Sequence, residues 1–305
     1  NNIPVGYDTT KKVNLSGKVY EYFVGRDNNA ISELGAFFTD RHIVEFILDK
    51  IQPQLNEDLT IKSMIDPFAG SGGFTLSYTH YLNNKYPNID WQKNIDNIYH
   101  YDMQRDVINM AGVEMFAITG AVPNNDYNFL RTNTFKCEFT QAKHKSFDYV
   151  ISNPPYGGDK ITKNLDQIKK ELIINKLKED MKDQTDKKIL KNQKEQIELL
   201  NNELKEEKKI REMQMVNYYN CSDKIKKFCL KHNIDPKYVN DKEAASLILL
   251  VDLLAVNGKA ALVLKEGVFF DNKYSKLREI VTKNYNITNI ISVPANAFEN
   301  TTTKT

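Results

Sequence analysis

The 305 residues predict a doubly wound, parallel α/β sheet interrupted by a charged helical hairpin. Three observations carry that expectation. Short apolar runs that end on a polar residue alternate with longer runs of helical periodicity, the pattern of strand–helix–strand units. Two of the short runs empty into stretches suited to tight backbone geometry, Asp66-Pro-Phe-Ala-Gly-Ser-Gly-Gly73 and Asn153-Pro-Pro-Tyr156. The alternation then stops: Asp159 to Asp235 holds neither Gly nor Pro, and residues 160–214 are rich in Lys, Glu, Gln and Asn.

Residues 1–30 form a polar segment in which Val19, Tyr20, Phe23 and Val24 could dock one short helix. Ile43, Phe46, Ile47, Leu48 and Ile51 recur at helical spacing, with Thr39 or Asp40 as the N-cap. Ile61 to Ile65 reads as a strand ending at Asp66, followed by the glycine stretch and a helix through Leu82. A second strand, Ile98 to Tyr101, closes at Asp102. A helical run from Val107 to Ile118 follows and is stopped by Gly120. Phe129-Leu130 before Asn133 and Phe147 to Ile151 give a third and a fourth strand.

Leu and Ile at 161, 165, 168 and 172, then at 189, 190, 197, 200 and 204, mark the two arms of the hairpin, with a reversal near Asp183–Asp186. Their mixed charges favour a solvated arm over a nucleic-acid clamp. Sheet-like patterning resumes at Glu243, with a helix to about Val256, a turn at Asn257-Gly258 and a strand from Ala260 to Leu264. A helix from Tyr274 to Thr282 and a strand from Ile287 to Val293 complete it. The expected organisation is a polar segment at 1–30, a catalytic domain from 31–158 and 243–305, and an insertion at 159–242.

Composition narrows the function classes. Hydrophobic residues make up 41% of the chain and the formal net charge is +2, so a full core is expected and any basic groove must be local. Cys137, Cys221 and Cys229 form no CxxC pair or His/Cys cluster, which predicts reduced thiols, no zinc site and a cytoplasmic setting. No apolar run approaches membrane-spanning length, and no signal-peptide pattern stands at the N-terminus, so no membrane partner is expected. A start at Asn1 and an end on Thr-Thr-Thr-Lys-Thr read as a piece of a longer protein.

Gly70, Ser71, Gly72 and Gly73 follow a strand and open a helix. Glycines there let the backbone approach a ligand, and the helix N-terminus favours negative charge. The spacing is neither GxGxxG nor a phosphate loop ending in Gly-Lys-Ser/Thr, so neither a dinucleotide fingerprint nor an ATP site is expected. Asp102, at the end of the next strand, stands where an acid reaches ribose hydroxyls. Pro154 and Pro155 stiffen the chain behind Asn153. They hold up the Asn153 side-chain carbonyl, the Pro154 main-chain carbonyl and the Tyr156 ring together. Two adjacent acceptors suit an NH₂ group. With both hydrogens held, its lone pair turns away from a conjugated ring, and the tyrosine offers that ring a flat surface.

Asp66-Pro-Phe-Ala-Gly-Ser-Gly-Gly-Phe74 resembles the S-adenosylmethionine motif of amino-group DNA methyltransferases, and Asn153-Pro-Pro-Tyr156 resembles their catalytic motif. Glu33-Leu-Gly-Ala-Phe-Phe-Thr39 resembles the element that, in the adenine-N6 group, closes over the methionine part of the cofactor. The run as a whole, over roughly 31–158 and 243–305, is most similar to the modification subunits of type I restriction–modification systems. The resemblance implies a Rossmann-like methyltransferase sheet that binds S-adenosylmethionine through Phe37, Phe38, Thr39, Asp66, Pro67, Gly70, Ser71, Gly72, Gly73, Asp102, Asn133 and Asn153. It implies catalysis at Asn153, Pro154, Pro155 and Tyr156 on an adenine flipped out of double-stranded DNA. It also implies a separate specificity subunit and a restriction subunit as partners. Two positions depart from the pattern. Asp40 stands where a proline usually follows Phe-Thr, and Asn133 stands where an acid usually meets the adenine amino group, so a weakened cofactor contact is expected. Methylation of RNA or of protein glutamine, and a non-catalytic partner module, are the competing readings.

Overall fold

The structure is a computed structural model, and it describes residues 7–8, 13–14, 39–136, 139, 142–156, 165–182, 184–219, 222–235 and 238–294. Near the N-terminus, strands β1 (Tyr7–Asp8) and β2 (Val13–Asn14) pair antiparallel. The helix expected around Val19–Val24 lies outside the described residues.

Five strands form the main sheet: β3 (Met64–Asp66), β4 (Ile98–Asp102), β5 (Phe129–Arg131), β6 (Phe147–Ser152) and β7 (Leu254–Leu262). Their spatial order is β5-β4-β3-β6-β7, and every pairing is parallel. The chain builds outward from β3 in one direction and then returns to its other side with β6. The topological switch point therefore lies between the carboxyl ends of β3 and β6. The glycine stretch leaves β3 at that point and Asn153 leaves β6 there.

Burial on both faces explains why the strands read as apolar runs. Met64, Ile98, Tyr149 and Ile151 face helices α1 (Arg41–Ile51), α2 (Gly73–Lys85) and α4 (Arg105–Thr119), which contribute Val44, Leu48, Leu76, Leu82, Ile108 and Met115. Ile65, Tyr99, Tyr101, Phe147 and Val150 face the opposite way. They meet Leu249 and Leu250 of α8 (Lys242–Asp252). Asp40 caps α1, its carboxylate accepting from the His42 N–H at 2.8 Å. Between α2 and β4 lies a short helix, α3 (Trp91–Asn94), that buries Trp91.

Three sequence expectations are corrected in the last third of the sheet unit. The helix begun at Lys242 ends at Asp252 rather than near Val256, because Leu254 already pairs with Phe147. Asn257-Gly258 is not a turn but a bulge within β7, with Asn257 at φ +63° and a register shift between Phe147 and Tyr149. A Cβ on Gly258 would sit 3.0 Å from the Asp148 and Ala255 carbonyl oxygens, so a larger residue would press on both backbones of the bulge. After α9 (Gly267–Phe270) and α10 (Ser275–Asn284) no strand forms over 287–293. Ile287, Ile290 and Ile291 are exposed there, and alternation without a neighbouring strand makes no ladder.

The chain divides into two compact units, 1–157 with 219–305, and 158–218. In the second, α5 (Leu165–Asp180) and α6 (Lys187–Tyr219) form the hairpin. Lys170 ties the arms together, 2.7 Å from both Glu203 and Glu207. Residues 219–242 cluster with the sheet, where α7 (Asp223–Lys231) buries Ile225 and Phe228. Among the described residues, no helix is long and apolar enough to cross a membrane.

Candidate active site

The glycine stretch is shaped by two positive-φ residues, Gly70 at +51° and Gly72 at +88°. Gly72 is doubly constrained, since a Cβ there would stand 2.8 Å from Leu76 Cδ1. Ser71 is buried between them. Neighbouring strands hold the loop in place. The Ala69 N–H donates to the Tyr101 carbonyl at 2.9 Å, and the Gly70 N–H donates to Asp102 Oδ2 at 3.0 Å. Pro67 is fixed from the β5 side, its carbonyl accepting from the Thr134 hydroxyl at 2.5 Å.

The carboxylates are spoken for locally. Asp66 is 1% exposed, and its Oδ1 accepts from the Phe68 N–H at 3.1 Å and the Ser152 hydroxyl at 2.6 Å. Burial pushes its carboxyl up to about 7 despite those two donors, and the nearby Asp102 charge adds to the rise. Asp102 Oδ1 accepts the Gln104 N–H at 2.8 Å, so this acid both fixes the turn that leads into α4 and pins the glycine loop. Burial raises its carboxyl as well. The Met103 N–H is a third backbone donor to this carboxylate, and one of its four lone-pair sites is left for a hydroxyl. Asn133 Oδ1 accepts the Phe135 N–H at 3.2 Å, and the Phe135 ring lies 5.2 Å from Phe68.

Asn153 stands one residue past the end of β6. Its Nδ2 donates to Thr39 Oγ1 at 3.0 Å, and its Oδ1 accepts from the Tyr156 hydroxyl. That hydroxyl also lies 3.2 Å from the Val263 carbonyl. Pro154 and the Tyr156 ring are buried, while Pro155 is half-buried. Burial, followed by the Glu243 charge, drives the Tyr156 phenol far above its ordinary range. Tyr156 is therefore folded inward onto Asn153 rather than presented as an open platform.

Thr39, Asp66, Pro67, Gly70, Ser71, Gly72, Gly73, Asp102, Asn133, Asn153, Pro154, Pro155 and Tyr156 thus gather at the carboxyl edge of β5, β4, β3 and β6. Phe37 and Phe38 lie outside the described residues. Four further residues take part in the site. Ser152 holds Asp66. Thr134 holds Pro67. His100, fully buried, joins the first turn of α2 through Thr75 Oγ1 at 2.9 Å. Arg41 abuts Gly73. The first three are polar residues in otherwise apolar strand or loop contexts, which is the signal that marks them.

Residues 11–176 and 215–305 match the model of the N-6 DNA methylase family. The chain is 21% identical over 302 residues to the type I restriction enzyme EcoEI methylase subunit of Escherichia coli, covering 96% of this chain and 45% of that protein. It is 28% identical over 141 residues to the type I restriction enzyme MjaIX methylase subunit of Methanocaldococcus jannaschii, covering 46% of this chain and 22% of that protein. The chain therefore spans less than half the length of either relative. With the doubly wound sheet in place and the family match covering most of its length, the chain belongs to the N-6 DNA methylase family.

Proposed function

We propose that this chain is the catalytic core of a DNA methyltransferase that methylates N6 of adenine, working beside a specificity subunit and a restriction subunit. The observation that carries the reading is the position of Asn153 at the switch point, tied to Thr39 on one side and one residue from the Ser152–Asp66 bond on the other. The two relatives named as type I methylase subunits support the restriction–modification setting.

The residues present fit S-adenosylmethionine. Gly70 leaves open space for a close ligand, Asp102 keeps acceptor capacity for ribose hydroxyls, and the Phe68–Phe135 pair joins the Asn133 turn through the Phe135 N–H. When bound, the cofactor supplies a methyl group on a positively charged sulfur. Asn153 Oδ1 and the Pro154 carbonyl hold the two hydrogens of the adenine amino group, so its lone pair points out of the ring conjugation. No strong base is needed before attack. Tyr156 must release Asn153 Oδ1 and turn its ring outward to stack on the flipped base.

The test is Asn153→Ala, assayed by transfer of labelled methyl to mixed genomic DNA, RNA and protein in parallel, with cofactor binding measured by calorimetry. Transfer to DNA adenine alone is expected from the unaltered protein. In the variant, transfer should disappear and cofactor binding should stay nearly intact. Full activity in the variant, or label on RNA or glutamine instead, sinks the reading.

A further inference from the structure

We propose that Arg41 is the clamp for the carboxylate end of the methyl donor, an assignment that rests on the methyltransferase reading above. Arg41 is the first residue of α1, directly behind its Asp40 cap. Its Nε, Nη1 and Nη2 are all out of solvent, and none has a hydrogen-bond partner among the described residues. A guanidinium cannot shed its proton to relieve burial, so an unpaired one inside a protein is destabilising until an anion meets it.

The location identifies the anion. Arg41 Nη1 stands 2.9 Å from the point a Cβ on Gly73 would occupy, so the missing side chain of Gly73 is what admits the guanidinium. Gly73 is not in the left-handed region, and backbone conformation therefore gives no other reason for glycine there. Gly73 opens α2, whose first N–H groups and dipole also favour negative charge. Two residues before Arg41, Thr39 accepts the Asn153 amide. The guanidinium, the start of α2 and the catalytic motif therefore converge on the β3–β6 side of the site. The ribose-facing Asp102 and the Phe68–Phe135 pair belong to the β4–β5 side. A donor laid across the carboxyl edge with its adenosine over β4 and β5 brings its amino-acid end to Arg41. His80 of α2 feels the Arg41 charge, and burial together with that charge lowers its imidazole to about 4, so it adds no competing positive charge near neutral pH. A forked pair of N–H donors matches a carboxylate in geometry and charge.

The experiment compares binding of S-adenosylmethionine and of its decarboxylated analogue, which keeps the sulfonium and the adenosine. Calorimetry is run on the unaltered protein, Arg41→Gln, Arg41→Lys and Gly73→Ala, with melting temperatures recorded alongside. The unaltered protein should prefer the carboxylate-bearing donor by about ten- to a hundredfold, the size of a charge-assisted hydrogen-bonded pair. Arg41→Gln should bind both donors alike, Arg41→Lys should recover part of the preference, and Gly73→Ala should reduce it by displacing Nη1. An undiminished preference in Arg41→Gln overturns the clamp. If that variant does not fold, an undiminished preference in Gly73→Ala overturns it equally. A lowered melting temperature with the preference intact marks Arg41 as a structural ion-pair member and also overturns it. Binding of both donors without preference by the unaltered protein removes the clamp alone, whereas binding of neither removes the methyltransferase reading with it.

Discussion

Asp66 shows how one buried residue can set a pH dependence. The folded protein holds its proton up to about 7, whereas the unfolded chain releases it near 3.8. Because the folded value is the higher one, the stability this group contributes is complete below 3.8 and drains away as pH rises through 7. His100 works in the opposite sense. Burial lowers its imidazole to about 3, so its contribution is present above 6.5 and is lost as pH falls below that. Asp66→Asn keeps an oxygen for Phe68 and Ser152 but cannot ionise. Its urea midpoint should gain on the unaltered protein between about pH 5 and pH 8, the interval that spans the folded Asp66 value. A constant offset across that range would show that Asp66 stays ionised throughout. Tyr156 separates ring from hydroxyl. Tyr156→Phe should cost about 0.5–1.5 kcal/mol for the lost hydrogen bond and retain methyl transfer, since no hydroxyl then has to leave Asn153 Oδ1. Tyr156→Ala should cost about 3–5 kcal/mol in thermal unfolding and lose transfer in single-turnover assays. Equal activity in both variants would exclude a stacking role for the ring.

At the scale of elements, glycines in the same conformation carry different loads. Gly72 and Gly120 both sit in the left-handed region, at φ +88° and +70°. An added Cβ at Gly120 meets nothing within 4 Å, while at Gly72 it strikes Leu76. Gly120→Ala should therefore cost about 1–2 kcal/mol, the left-handed penalty alone. Gly72→Ala should cost more and also weaken cofactor binding, because Leu76 anchors α2 in the core. Matched losses in chemical denaturation would show that the loop yields freely. The same physics explains which elements the sequence discloses. Helices α1, α2 and α4 and the strands β3 to β6 announce themselves because their burial pattern is their residue pattern, as in α1, where Val44, Leu48 and Ile51 form the buried stripe. β7 is concealed because Asn257-Gly258 carries a hairpin signature that a bulge uses equally well. Ile287–Val293 misleads for the converse reason, since a strand needs a neighbour that periodicity cannot supply. Arg41 left one sign: it is a cation opening a helix, the end where the dipole disfavours it.

For the whole molecule, the legible and the hidden divide along chain connectivity. Each motif of the site could be quoted from the sequence, but their meeting depends on β6 returning to lie beside β3, which no spacing records. The hairpin interrupts that return, and among its described residues none belongs to the sheet. The family match skips residues 177–214, the end of the first arm and nearly all of the second, so the features shared with the family are complete without them. The clustering of 158–218 as its own unit agrees, as does the Lys170 link to Glu203 and Glu207, which fastens the arms to each other. Replacing 160–214 with a flexible Gly/Ser linker should therefore leave the melting of the sheet and the binding of S-adenosylmethionine unchanged. DNA affinity in the same protein then reports what the hairpin adds. An unchanged value makes it a solvated arm, the role its mixed charge favours, and a loss makes it part of the DNA-binding surface. Collapse of cofactor binding on excision would refute this independence, because it would mean that the switch point needs the hairpin to stay assembled.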